Sequence, residues 1–177
     1  MARLAAGNNE EAFVELYHRY SSNIYTYLFR LVQKQSAAED LLQEIFVAAW
    51  QGIGDFQHRS TVKTWLFRIA HYQAMSWLRT AYRERKIIED ENLTEQEEME
   101  LDRQVMSNWR IDKVQQALAE LSPHHRSVVE LFYMQNLSYE QIAEIVECPL
   151  GTVKSRMSHA IRNLNGILLN YGIGSYD

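Results

Sequence analysis

Apolar positions recur every three or four residues over most of the chain, the spacing of helices rather than of strands. In EEAFVELYHRYSSNIYTYLFRLV, Phe13, Leu16, Tyr17, Tyr20, Ile24, Tyr27, Leu28 and Leu31 fall on one helical face. Ser36 stands three residues before Glu39, and that capping-box spacing predicts a helix opening at Ser36 and running through AAEDLLQEIFVAAWQ. Its apolar face is Leu41, Leu42, Ile45, Phe46 and Ala49, while Glu39, Asp40, Gln43 and Glu44 crowd the outer side. Gly52 and Gly54 break the pattern, DFQHRST reads as a polar loop, and VKTWLFRIAHYQAMSWLRTAYRERK predicts a third long helix.

The periodicity resumes at KVQQALAELS. Ser122 and Pro123 fit the N-cap and first helical residue of PHHRSVVELFYMQN. Ser138 and Gln141 form a second capping box and open YEQIAEIV. Pro149 and Gly151 mark a turn, after which the helical pattern returns. Stepping about 100° per residue from Val153 puts Met157, Ala160, Ile161 and Leu164 on its side of that last helix. Ser155, Ser158, His159 and Arg162 fall opposite, and Lys154 and Arg156 flank them. Two short helices around a tight break, the second basic on one face, make a helix-turn-helix, which presses one face on its partner helix and the other into the DNA major groove.

Composition supports a helical protein and then complicates the picture. The chain of 177 residues has only 7 Gly and 2 Pro, too few for the frequent turns of a sheet protein. Its hydrophobic fraction, 46%, is that of a folded chain. Yet 18 Lys+Arg face 23 Asp+Glu, a formal net charge of −5, which is unexpected for a DNA-binding protein. The imbalance is local. Residues 1–88 carry a net +3, residues 89–112 a net −7 and residues 113–177 a net −1. The middle stretch, EDENLTEQEEMELDRQVMSNWRID, has few large apolar residues, although Thr94 and Glu97 keep a capping-box spacing. The expected organisation is therefore all-α, with two small helical domains, 1–88 and 113–177, joined by an acidic linker, 89–112.

The remaining features narrow the function class. No apolar run approaches the roughly 18 residues of a membrane span, and MARLAAGNNEEAF has no adequate apolar core for a signal peptide. The one cysteine, Cys148, excludes an internal disulfide or a multi-cysteine zinc site, so a reducing cytoplasm is the expected compartment. The six histidines, His18, His58, His71, His124, His125 and His159, form no metalloprotease motif, and no Gly-rich phosphate loop is present. Neither an enzyme nor a small-molecule substrate is expected. In the third long helix Trp65, Phe67, Tyr72, Trp77 and Tyr82 lie among Lys63, Arg68, Arg79, Arg83, Arg85 and Lys86. Rings stack on unpaired bases and cations follow phosphates, so this composition suits single-stranded DNA; the same rings also suit a core.

AEDLLQEIFVAAW, TWLFRIA and LSYEQIAEIVECPLGTVKSRMSHAIRNL, in this order and spacing, resemble a bacterial sigma factor of the extracytoplasmic-function group. The resemblance spans roughly residues 10–165. It implies sigma regions 2 and 4, core RNA polymerase and promoter DNA as partners, and an anti-sigma factor that masks the polymerase-binding surfaces. By position, Asp40, Gln43 and Glu44 correspond to the segment that docks on the clamp helices of the polymerase β′ subunit. The loop from Phe56 to Val62 corresponds to one that cradles a flipped −10 base, and Thr64 to Lys86 to the melting and −10 recognition helix. The implied −10 set is Phe56, His58, Arg59, Ser60, Lys63, Trp65, Arg68, Tyr72, Ser76, Arg79 and Arg83. The implied −35 set is Thr152, Lys154, Ser155, Arg156, His159 and Arg162. The apolar residues of LAELS and VVELFY are expected to form the surface for the β-subunit flap. Tyr72, Ser76 and FQH depart from the family's usual residues beside the −10 pocket, and His159 stands where Arg is common. A stand-alone helix-turn-helix regulator is the alternative reading.

Overall fold

The computed structural model describes residues 9–56, 59–91 and 109–173. Regular structure in these residues is helical throughout. The chain divides into two compact units, Met1–Glu100 and Leu101–Asp177. The acidic stretch between residues 92 and 108, the Thr94–Glu97 capping box within it and His58 lie outside the described residues.

Three long helices build the first unit: α1 Asn9–Val32, α2 Gln35–Gly52 and α3 Val62–Glu91. Each packs on both others. The core joins Ile24, Leu28 and Leu31 of α1, Ala38, Ile45 and Ala49 of α2, and Leu66, Phe67, Ala70 and Ala74 of α3. The alanines let the helix backbones approach closely where larger residues interdigitate. Tyr27 shows how a polar handle is kept in such a core. Its ring meets Phe67 edge to face at 5.4 Å, and its hydroxyl is hydrogen-bonded to His71 Nδ1 at 2.9 Å. Tyr17 departs from the expected apolar face: it is 42% exposed and lies against Phe46 with ring centroids 4.7 Å apart.

The expected start of α2 is corrected. The helix begins at Gln35, with Lys34 at the N-cap and no side-chain cap, so Ser36 is already helical. A tight turn explains this. Gln33 takes a left-handed φ of 57° as its N–H bonds Phe29 O, and no loop is left in which Ser36 can act as a cap. At the other end a single 3-10 turn, Ile53–Asp55, follows Gly52. The start of α3 is fixed by Thr61, whose Oγ1 accepts from Thr64 N at 3.1 Å.

The second unit contains α4 Trp109–Glu120, α5 Pro123–Val129, α6 Tyr139–Ile145 and α7 Leu150–Asn170. A π-helical turn, Glu130–Met134, continues α5. Both expected caps are present: Ser122 accepts from His125 N, and Ser138 and Gln141 bond each other's backbone N–H groups reciprocally. Replacing Ser138 with alanine removes half of that box, and the cost is expected to be about 1 kcal/mol, read as a lowered midpoint in urea unfolding.

The break between α6 and α7 differs from the one the sequence suggests. Glu147, not Gly151, makes the turn with a left-handed φ of 50°, while Pro149 is the N-cap of α7 and Gly151 lies inside its first turn. Proline fixes its own φ near the value a helix entry needs, and glycine is not required there.

Arg126 is the organising polar residue of this unit. It is 5% exposed, and its guanidinium donates to Leu118 O at 2.8 Å, Leu121 O at 2.9 Å and Ala119 O. These carbonyls lie in the last turn of α4 and just past it, where helical N–H donors run out; Leu118 O also accepts from Leu121 N at 3.2 Å. Burial, partly offset by the charge of the buried Glu130, pushes Arg126 down to about 10, so it stays charged at neutral pH. The C-terminal end of α7 is tied to the same helix: Tyr171 donates from its hydroxyl to Glu120, and its ring lies 4.8 Å from Lys113 Nζ.

Candidate nucleic-acid interface

The last helix separates its two faces as the periodicity requires. Val153, Met157 and Ala160 are buried against the rest of the second unit. Lys154, Ser155, His159 and Arg162 are exposed, and Thr152 and Arg156 are half-buried at the edge. Ala160 lets α7 lie close on its neighbours, and α5 and α6 both pack on it. The outward side offers two cationic side chains, hydroxyls and an imidazole within the first three turns, the types that bond phosphates and base edges. Lys154 also lies near Glu140 of α6, whose carboxyl is held below its ordinary value chiefly by a backbone N–H and the Ser138 hydroxyl, with a smaller contribution from Lys154.

A second basic face lies on α3. Arg68, Tyr72, Ser76, Arg79 and Arg83 follow one another at steps of three or four and share one side of the helix. Arg68, Arg79 and Arg83 are exposed, Ser76 is half-buried and Tyr72 is 65% exposed, a ring held open to solvent. The structure sorts the aromatics of this helix. Phe67 is fully buried and Trp65 is 8% exposed, whereas Tyr82 stands 70% exposed. Trp65 is covered by the chain that precedes α3: Phe56 tilts against it at 5.1 Å, and it lies beside Gly52. Trp65 therefore supports the loop from inside, and its ring is not displayed to a base. Arg59 is exposed, Ser60 and Lys63 are half-buried, and burial lowers Lys63.

The exposed side of α2 is acidic. Asp40, Gln43 and Glu44 point to solvent, and the same stripe continues into Val47, 56% exposed, and Trp50, 42% exposed. The sequence pattern had given only the polar part of this stripe; Val47 and Trp50 add an apolar half to it. Between this face and the basic face of α3 runs a cleft of about 520 Å³, lined by Asp40 and Glu44 on one side and Tyr72, Ser76 and Trp77 on the other.

The apolar segments expected to face the flap turn inward. Ala117, Leu118 and Leu121, and Val128, Val129 and Leu131, are buried in the second unit. Only Tyr133 and Met134, on the π-helical turn, are exposed, at 54% and 47%. The reason is local. The extra residue per turn of the π segment rotates Tyr133 and Met134 off the buried stripe. Three residues escaped the sequence reading: Thr61, Arg126 and His125. The Ser-Thr pair before VKTW was the available signal for the first. For Arg126 it was a basic residue one turn from Val129 and Glu130 on the apolar face.

The fold and these faces define a class: an all-helical protein of two units, one with a helix-turn-helix that displays a basic face and one that displays separate acidic and basic faces. Residues 16–84 match the family model of Sigma-70 region 2, and residues 111–164 match that of Sigma-70, region 4. RNA polymerase sigma factor YlaC of Bacillus subtilis is 35% identical over 158 residues, 86% of this chain and 89% of that protein. ECF RNA polymerase sigma factor SigW of the same organism is 30% identical over 158 residues, 84% of each chain. Among solved structures, the sigma factor RpoE in complex with the anti-sigma factor NepR from Bartonella quintana is similar, with a TM-score of 0.75 and 28% identity. That match covers 89% of this chain and 97% of the other. The chain belongs to the sigma-70 family of RNA polymerase sigma factors, in its extracytoplasmic-function group.

Proposed function

We propose that this chain binds core RNA polymerase and directs it to promoters, reading the −35 element as duplex through α7 and the −10 element as separated strand through α3. One observation carries the reading: the first unit keeps an acidic docking face on α2 apart from a basic, tyrosine-bearing face on α3. A stand-alone regulator has no use for both. In this division of labour Asp40, Gln43 and Glu44, with Val47 beside them, meet a basic polymerase surface. Arg68, Arg79 and Arg83 track phosphates, and Tyr72 offers a stacking face worth about 1–3 kcal/mol per base. Phe56, Arg59, Ser60 and Lys63 line the loop for an extruded base, and Trp65 braces that loop. Thr152, Lys154, Ser155, Arg156, His159 and Arg162 form the duplex-reading face.

The reading also accounts for a net charge of −5 in a promoter-reading protein. Most DNA affinity comes from phosphate contacts. A polymerase that grips DNA supplies those, and the sigma factor supplies selection. The expected linker 89–112 overran α3 and α4 at its ends; the acidic residues 92–108 between those helices then tether two DNA-reading units without adding affinity of their own. The protein acts by binding and not by catalysis. RpoE was solved with an anti-sigma factor, and by that likeness a protein partner that covers the docking faces is part of the proposal.

The test uses a pool of labelled promoter fragments with the chain alone, core polymerase alone and the two mixed. Sequence-selective binding is expected in the mixture only. In the Asp40→Lys, Glu44→Lys double variant, whose changes are exposed and leave the core intact, selective binding is expected to fall by at least about tenfold. Tight selective binding by the chain alone, unaltered by polymerase, overturns the proposal in favour of a stand-alone regulator.

A further inference from the structure

His125 and His159 belong to different helices, yet their rings meet edge to face with centroids 6.2 Å apart. His125 sits half-buried in the first turn of α5, and His159 is exposed on the outward face of α7. Arg156 lies one turn before His159, half-buried, and its charge is felt at His125. Two imidazoles and a guanidinium thus converge at the rim of the duplex-reading face.

The cluster is frustrated in the free chain. Burial, then the charge of His159, then that of Arg156 lower the His125 ring from its ordinary 6.5. The charged groups of the surrounding elements are engaged elsewhere or are cationic. On α5, His124 is exposed and Arg126 turns inward to the carbonyls of Leu118 and Leu121. On α6, Glu140 is held at Ser138 and near Lys154. On α4, Glu120 accepts from Tyr171. On the π-helical turn, Glu130 is buried and acts on Arg126. The electrostatic effects on His125 come from His159 and from the cation Arg156, and both lower it. An anion from outside completes such a cluster, and the face beside it is the one proposed to meet DNA.

We infer that His125, Arg156 and His159 form a proton-coupled seat for one phosphate of the promoter backbone, with His125 contributed from outside the helix-turn-helix. The inference rests on α7 reading promoter duplex. A neutral imidazole has one N–H to donate; a protonated ring has two and a full charge. A phosphate seated against His125 reverses the local field and favours the second proton, which comes from solvent. No covalent bond forms or breaks. The sign follows from linkage. The bound-state pKa of His125 exceeds the free-state one, so the seat's contribution is complete below the free-state pKa and is lost as pH rises through the bound-state pKa. Promoter affinity therefore strengthens on acidification.

The experiment measures binding of the reconstituted holoenzyme to a promoter fragment that it selects, by fluorescence anisotropy between about pH 6 and about pH 8. The parent chain is compared with His125→Gln, His159→Gln and the Lys154→Ala, Arg156→Ala double variant. The parent is expected to gain about tenfold more affinity than His125→Gln on going to the acid end, the effect of one proton linked over about one of those pH units. His159→Gln is expected to flatten the profile likewise. Circular dichroism of each full chain checks the fold, and His159→Gln, exposed and on a separate helix, serves if His125→Gln is destabilised. A His125→Gln profile parallel to the parent's overturns the phosphate seat; if the Lys154, Arg156 variant still loses affinity at every pH, α7 nevertheless reads duplex. If none of the variants changes affinity, the duplex-reading role of α7 falls together with the seat.

Discussion

Replacing Arg126 with alanine is expected to remove about 3–5 kcal/mol from the stability of the second unit, the cost of breaking a buried, hydrogen-bonded charge. Ala119 O and Leu121 O lose the guanidinium donor and Leu118 O keeps only Leu121 N, while Glu130, 1% exposed, loses the cation whose charge it feels. For a unit of this size the loss corresponds to a fall of roughly 15–30 °C in its thermal transition. The first unit does not share the residue and should keep its own transition. Scanning calorimetry of the full chain separates the two. Arg126→Lys is a useful companion. It keeps the charge but not the fork of N–H groups that reaches several carbonyls at once, so an intermediate loss is expected. A shift of only a few degrees in Arg126→Ala would mean that water takes over the carbonyls, and Arg126 would lose the organising role assigned to it.

Removing Lys154 and Arg156 together is expected to lower the affinity of the holoenzyme for its promoters by about a hundredfold, from contacts worth about 1–3 kcal/mol each. Lys154 is exposed and Arg156 half-buried at the edge of the face, and neither belongs to the buried row Val153, Met157 and Ala160, so the core of the second unit is kept. The two should also differ. A residue that meets phosphate weakens all sequences alike and reduces the salt dependence, whereas one that meets a base edge relaxes the sequence preference at one position. Competition binding with single substitutions, at two salt concentrations, tells these apart. Promoter binding that survives the double change would remove α7 from the duplex-reading role.

The helices and their faces were legible because an amphipathic helix writes its buried side into the chain every three or four residues. The core stripes of α1, α2 and α7 were readable in this way, as were the caps at Ser122 and Ser138, since capping depends only on residues three apart. Local reading failed where a neighbouring turn pre-empted a signal. Ser36 and Glu39 have the spacing of a capping box, but the left-handed Gln33 starts α2 too early for it to form. Gly151 looks like a turn residue, yet Glu147 makes the turn.

The candidate surfaces divide along the same line. Asp40, Gln43 and Glu44, and the basic face from Lys154 to Arg162, follow from periodicity because exposure on a helix is the complement of its apolar stripe. Periodicity does not say what a distant segment covers. Trp65 and Tyr72 are both aromatic residues of α3 among basic neighbours, but Phe56 and the end of α2 close over Trp65 and leave Tyr72 open. The apolar residues of LAELS and VVELFY read as a surface and form a core, because α4, α5 and α7 bury them against one another.

The sequence by itself therefore determined the helical class, the basic faces of α3 and α7 and the family, since these depend on residue type at short, regular spacing. The tertiary structure alone decided which rings are displayed, that Arg126 closes the end of α4, and that His125 stands beside His159. Each of those depends on which helix packs on which, and two residues that are 34 positions apart in the chain meet only because α5 lies against α7.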